Sequence, residues 1–277
     1  MLVFGAIVSV QCGGAVATKL FDHVGPGGSA FLRFALSAVV LWLLARPRIR
    51  GTSGRDLRAA AVFGVVLAGM NACFYQALDR MPLGLAVTVE FVGPLAVAIG
   101  ASRRRLDQVW AGLAAGGVAL LAGRGDGQVG AVGVAFALAA GAFWAAYILV
   151  GQRISQVFVG ASGLALALVI GSLVTAPYGI VDGGAELYSP GVLGIGLAVA
   201  VLSSAVPYSL ELTALRRLSA GVFGVLMSLE PAVAAVVGLV VLSQGLSAVQ
   251  SLAVAMVCLA SLGATTAGRR SQVIPDV

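Results

Sequence analysis

The chain has 277 residues, 60% of them hydrophobic and only 10% charged, with a mean hydropathy of +1.03. Soluble domains carry about 25% charged residues, so this composition excludes a water-soluble fold and points to an integral membrane protein. The net charge of +6 does not indicate nucleic acid, because the basic residues sit in short breaks between apolar runs rather than on one surface.

Crossing the hydrocarbon core takes about 20 apolar residues. Ten such runs are predicted, over 2–20, 29–45, 58–78, 83–101, 106–122, 130–150, 161–180, 191–211, 219–242 and 247–267. The first has no basic segment before it, and no cleavage site followed by a soluble domain after it, so it reads as a membrane helix rather than a signal peptide. The breaks carry turn chemistry, as in Gly25-Pro26-Gly27-Gly28, Arg46-Pro47-Arg48, Met81-Pro82-Leu83-Gly84 and Ser189-Pro190-Gly191. No loop is long enough for a soluble domain.

Loop charge sets the expected orientation. With the N-terminus inside, the cytoplasmic face takes Arg46, Arg48, Arg50, Arg55, Arg58, Arg103, Arg104, Arg105, Arg153, Arg216, Arg217, Arg269 and Arg270. The outer face takes Lys19, Arg80 and Arg124, while Arg33 lies just within a span. Thirteen basic residues against three is a strong positive-inside signal. It puts both termini in the cytoplasm of a multi-pass plasma-membrane protein.

The chain also repeats. A shift of 137 residues lays Ala77-Leu78 on Ala214-Leu215, Gly84 on Gly221, Pro94 on Pro231 and Ala98 on Ala235. The expected units are a first five-helix repeat over 1–127, a second over 128–270, and a short tail over 271–277. Five spans is an odd number, so the halves run in opposite directions. The expected fold is therefore an all-α polytopic membrane protein of ten transmembrane helices in two inverted five-helix repeats, a plan found in many secondary transporters.

Two stretches stand out against this background. Thr88-Val89-Glu90-Phe91-Val92-Gly93-Pro94 puts a carboxylate and a proline in an apolar run, and Ser228-Leu229-Glu230-Pro231 does so again in the other half. An acid in hydrocarbon is costly and must face protein or water. Proline cannot donate to the carbonyl one turn back, which for Pro94 is that of Glu90. Interrupted spans at matching places in two halves point to a transporter's binding site. Under the 137-residue shift the prolines coincide, while the acids are displaced by three residues.

Glu90 and Glu230 are the first candidates, to bind a proton or a substrate ammonium group near the midplane. A buried structural acid is the competing reading for Glu90, and a structural helix break for Glu230. Asn71 and Tyr75, four apart, share a face of the third span, and Trp144 and Tyr147, three apart, share a face of the sixth. Tyr208 lies in the eighth, beside a third helix-breaking proline, Pro207. These could line a polar cavity, or serve as interhelical glue and interfacial anchors. Arg33 could receive a substrate carboxylate or snorkel toward the outer surface.

Metal and cofactor chemistry is not expected. The single histidine, His23, falls in a loop, and Cys12, Cys73 and Cys258 all fall inside apolar runs. The single lysine, Lys19, lacks the glycine of a phosphate-binding loop.

Several stretches resemble one family in order along the chain. They are Asn71-Ala72-Cys73-Phe74-Tyr75, Met81-Pro82-Leu83-Gly84 through Ala98, Trp144-Ala145-Ala146-Tyr147 through Arg153, Leu202-Ser203-Ser204 through Glu211, and Phe223-Gly224 through Ala232. They are similar to the threonine/homoserine exporter branch of the drug/metabolite transporter superfamily, of EamA type. The resemblance implies ten helices in two repeats and efflux of small amino acids through the plasma membrane, driven by the proton gradient. It assigns no substrate contact residue by residue. The expected partners are a small neutral amino acid, protons and membrane lipids, with the oligomeric state open. The alternatives are the same machine with another metabolite or a drug as cargo, or a passive channel or structural membrane subunit. An intramembrane enzyme would need a nucleophile–base pair or metal ligands at depth, which one loop histidine cannot supply.

Overall fold

The computed structural model describes residues 1–47, 53–100, 105–123, 129–158, 161–207, 210, 214 and 220–269. Every regular element among them is helical. The helices are α1 (Leu2–Thr18), α2 (Phe21–Ala45), α3 (Gly54–Leu78), α4 (Leu83–Glu90), α5 (Val92–Gly100), α6 (Arg105–Gly123), α7 (Ala131–Val157), α8 (Ser162–Gly183), α9 (Pro190–Ala200), α10 (Ala220–Met227), α11 (Glu230–Leu242) and α12 (Ala248–Arg269). A helix satisfies its own backbone, which is what a chain this apolar needs in lipid. Outward-facing positions are themselves apolar, with Leu44 72%, Val181 84% and Val240 74% exposed.

Among the described residues, seven stretches are long and apolar enough to cross a membrane: Phe21–Leu44, Gly54–Leu78, Leu83–Gly100, Ala131–Ile154, Ser162–Tyr188, Val225–Leu242 and Ala248–Thr266. Three shorter apolar helices, Leu2–Thr18, Leu106–Ala122 and Pro190–Ala205, occupy the remaining runs picked out by hydropathy.

The packing pairs elements from the two halves. The second run lies along the seventh (α2 on α8), the fourth on the ninth (α4 on α11) and the fifth on the tenth (α6 on α12). The third lies on the sixth (α3 on α7), and the first meets the eighth (α1 on α9). At one end of the bundle, His23 Nδ1 lies 3.4 Å from Glu186 Oε2, Gln76 Nε2 donates to the Tyr178 hydroxyl at 2.8 Å, and the Leu83 N–H donates to Gln244 Oε1 at 2.9 Å.

Two departures from the sequence reading have local causes. The Gly25-Pro26-Gly27-Gly28 stretch is not a loop but part of α2, kinked at Gly25, whose φ of 63° only glycine adopts freely. Asp182 Oδ2 accepts the Gly27 N–H at 2.7 Å and so satisfies a donor freed at the kink. In the eighth run α9 passes at Val201–Ala205 into a π-helical turn just before Pro207, where the Val206 N–H reaches back to the Val201 carbonyl. The fourth and ninth runs are each broken near the middle, as the acid–proline pairs suggested.

Candidate functional site

The two breaks are built alike. α4 ends at Glu90, Phe91 makes the turn, and α5 restarts at Val92 with Pro94 in its first turn. α10 ends at Met227, Ser228 and Leu229 make the turn, and α11 starts at Glu230 with Pro231 at its second position. Proline is accepted there because first-turn N–H groups have no helical partner to lose. Phe91 and Ser228 stand 137 residues apart, the repeat length read from the sequence. Glu90 therefore closes one half-helix while Glu230 opens another.

α7 crosses the first break at a glycine. A Cβ on Gly141 would stand 2.6 Å from the Glu90 carbonyl oxygen, and one on Gly93 would collide with the Gly141 carbonyl. The carbonyl that Pro94 leaves without its helical donor is thus pressed against the α7 backbone. Beside it, the Phe91 ring meets Trp144 edge-on, with centroids 5.5 Å apart.

Both acids line one cavity of about 100 Å³, with Gln11 and Gly14 of α1, Arg33 of α2, Asn71 of α3 and Trp144 of α7. Glu90 and Glu230 are each 6% exposed. Gln11 Nε2 donates to Glu230 Oε1 at 3.1 Å. Among the described residues no hydrogen bond reaches the Glu90 carboxyl. The Arg33 guanidinium lines the same cavity as the two carboxylates. It stands over the Tyr75 ring, 5.8 Å from the centroid. Asn71 spends its Nδ2 on the Leu67 carbonyl, at 2.9 Å.

Of the residues singled out from the sequence, Glu90, Glu230, Asn71, Trp144 and Arg33 come together here. Tyr75 is fully buried behind Arg33 rather than on the wall, and its hydroxyl has no partner among the described residues. Tyr147 points elsewhere, stacked on Phe63 with centroids 5.1 Å apart. Tyr208 lies outside the described residues, and Pro207, two residues past the π-helical segment, does not line this cavity. Gln11 was not anticipated, since a lone amide in the first apolar run carries no spacing signal. A larger groove of about 360 Å³, bounded by aliphatic side chains such as Leu95, Ile99, Val118 and Leu138, has no polar side chain with which to hold a charged ligand. Among the described residues no cluster of metal-ligating side chains occurs.

The EamA-like transporter family matches residues 131–266. The threonine/homoserine exporter RhtA of Salmonella typhimurium (strain SL1344) is 42% identical over 275 residues, spanning 98% of this chain and 92% of its own. That of Escherichia coli (strain K12) is 41% identical over 280 residues, spanning 100% and 94%.

The chain belongs to the EamA-like transporter family.

As an EamA-like protein it is a transporter and not an enzyme. A solved crystal structure superimposes with a TM-score of 0.66 over 98% of this chain and 97% of that one, at 19% identity. At that identity the likeness speaks for the fold alone.

Proposed function

We propose that this EamA-like protein exports small neutral amino acids of the threonine and homoserine kind from the cytoplasm, exchanging them for protons by alternating access. The observation that carries the reading is the charge pattern of the cavity, where one guanidinium and two carboxylates line the same small space. A zwitterion presents the complementary pair, a carboxylate for Arg33 and an ammonium group for Glu90 and Glu230. Arginine suits the first task because its fork matches a carboxylate. A cavity of about 100 Å³ is well below the 300–1,000 Å³ usual for drug-sized ligands, which favours a compact cargo. The names of the two relatives agree with that cargo.

In this reading the seven long and three short apolar helices make ten crossings, in inverted repeats of 1–127 and 128–270 with a tail over 271–277. The pairing of second with seventh, fourth with ninth and fifth with tenth run supports a two-fold relation between the halves. The excess of basic residues on one side supports both termini on the cytoplasmic side of the inner membrane. Glu90, open to the cavity, is the group that takes a proton on one side and gives it up on the other. Glu230, tied to Gln11, is the fixed charge that orients the ammonium group. Cargo and proton then compete for Glu90, and competition at one site is enough to couple the two fluxes.

Inside-out vesicles test this directly. Labelled threonine and homoserine are expected to accumulate in the lumen when it is acidic, and to stop accumulating when the gradient is collapsed. Accumulation of a different metabolite would reassign the cargo. Equilibration without concentration would indicate a passive pore.

A further inference from the structure

A polar side chain buried in a membrane span commonly joins two helices. Asn71 does not. It is 4% exposed and lines the cavity, but its one hydrogen bond among the described residues returns to its own helix, from Nδ2 to the Leu67 carbonyl at 2.9 Å. That carbonyl lies one turn back in α3 and already serves the helix ladder. The bond therefore ties no helices together, and its effect is to hold the amide still. A reversed amide would set its oxygen against the Leu67 carbonyl, two acceptors facing each other, so the carboxamide has one orientation. Oδ1 is the end left over. It takes no hydrogen bond among the described residues, and unlike the Tyr75 hydroxyl it is not sealed inside the protein, so it opens on the cavity.

The other polar groups of the cavity have charged ends to serve. Arg33 suits a carboxylate, Glu90 and Glu230 suit an ammonium group, and Gln11, bonded to Glu230, stands at the ammonium end. Asn71 supplies an uncharged acceptor beside them, with Met70 and Phe74 of α3 and Val87 of α4 on the same wall. An acceptor of fixed direction among apolar side chains fits a hydroxyl on a short side chain. We infer that Asn71 is the specificity residue of this cavity: its Oδ1 accepts the side-chain hydroxyl of the cargo, so that hydroxylated amino acids are taken in preference to apolar ones of the same shape. This rests on the amino-acid reading above and adds to it a means of selection. Cavity volume cannot supply one, because threonine and valine have the same outline. A purely apolar pocket discriminates poorly against an added hydroxyl. A site built to bond the hydroxyl rejects the analogue that lacks it, since its own polar atom is then left unpaired.

Equilibrium binding of labelled threonine and labelled valine to the full chain in lipid nanodiscs tests this. The wild-type protein is expected to prefer threonine by at least roughly fivefold, the least that a buried unpaired acceptor costs. Asn71→Leu should weaken threonine and leave valine unchanged or tighter, bringing the ratio to about one or below, because both partners are then apolar. Asn71→Ala removes the same acceptor with less bulk, so the measurement does not depend on the leucine being accommodated. Gln11→Leu should weaken both ligands alike and keep the ratio. Proportional loss of both ligands in the Asn71 variants, or no preference in the wild type, would overturn the assignment and leave the amino-acid reading intact. Binding of neither amino acid by the wild type would overturn that reading, and the assignment with it.

Discussion

Gln11 and Glu230, 219 positions apart in sequence, are joined by a buried hydrogen bond of 3.1 Å that ties the first helix to the second half-helix of the ninth run. The neighbouring Glu90 has no such tether. Two acids on one small cavity wall are thereby made unequal, one fixed and one open.

The tether gives the first prediction. Gln11→Leu keeps the bulk but removes the donor, and a hydrogen bond to a charged group is worth about 1.5–3 kcal/mol. Amino-acid affinity should fall by roughly tenfold or more, with expression maintained. In a double-mutant cycle with Glu230→Gln the losses should be strongly non-additive. Additive losses would show that Gln11 acts on the cargo without Glu230.

Glu90 carries the second. Glu90→Gln keeps size and most hydrogen bonding but cannot cycle a proton. Gradient-driven export should be abolished, and residual binding should lose its pH dependence. A Glu90→Gln protein that still concentrates amino acid against a gradient would shift the coupling role to Glu230.

Tyr75 gives a stability test. Its hydroxyl is buried without a partner, while its ring supports Arg33 at 5.8 Å. Tyr75→Phe should leave thermal stability unchanged or slightly raised. Tyr75→Leu should lose the cation–π contact, worth about 0.5–2 kcal/mol, and should weaken binding. A marked loss of stability in Tyr75→Phe would show that the hydroxyl is bonded after all.

The crossing at Gly141 gives another. Gly141→Ala puts a methyl group against the Glu90 carbonyl and should cost about 1–3 kcal/mol by overpacking, with transport reduced. Gly112, whose Cβ would meet nothing within 4 Å, is the control. Gly112→Ala should be neutral or stabilising, since alanine is favoured over glycine inside a helix. Melting curves of the two variants decide it.

Topology gives the last. A reporter active only in the periplasm should stay silent when fused after Val277. Strong activity there would place the C-terminus outside.

The breaks were legible in the sequence because proline and a buried acid are both conspicuous in hydrocarbon, and Glu90 and Glu230 together mark one cavity. The neighbours were harder. Trp144 and Tyr147 share a face by spacing, yet residues three apart still point about 60° away from each other round a helix, enough to send Trp144 to Phe91 and Tyr147 to Phe63. Gly112 with Gly116, and Ala137 with Gly141, are equally good small-residue pairs four apart in sequence, and only the path of the crossing helix separates the open position from the crowded one. Gln11 gave no pattern at all, because its partner lies in the other half of the chain.

The cavity that holds Arg33, Glu90 and Glu230 has a consequence for energetics. A zwitterion is neutral overall, so sending one out while one proton comes in moves a full positive charge inward with each turnover. The exchange proposed here is therefore electrogenic. A membrane potential of 100 mV, negative inside, contributes about 2.3 kcal/mol per cycle. Export should continue on voltage alone when the pH is equal on both sides, and a potassium diffusion potential of reversed sign should drive the cargo back.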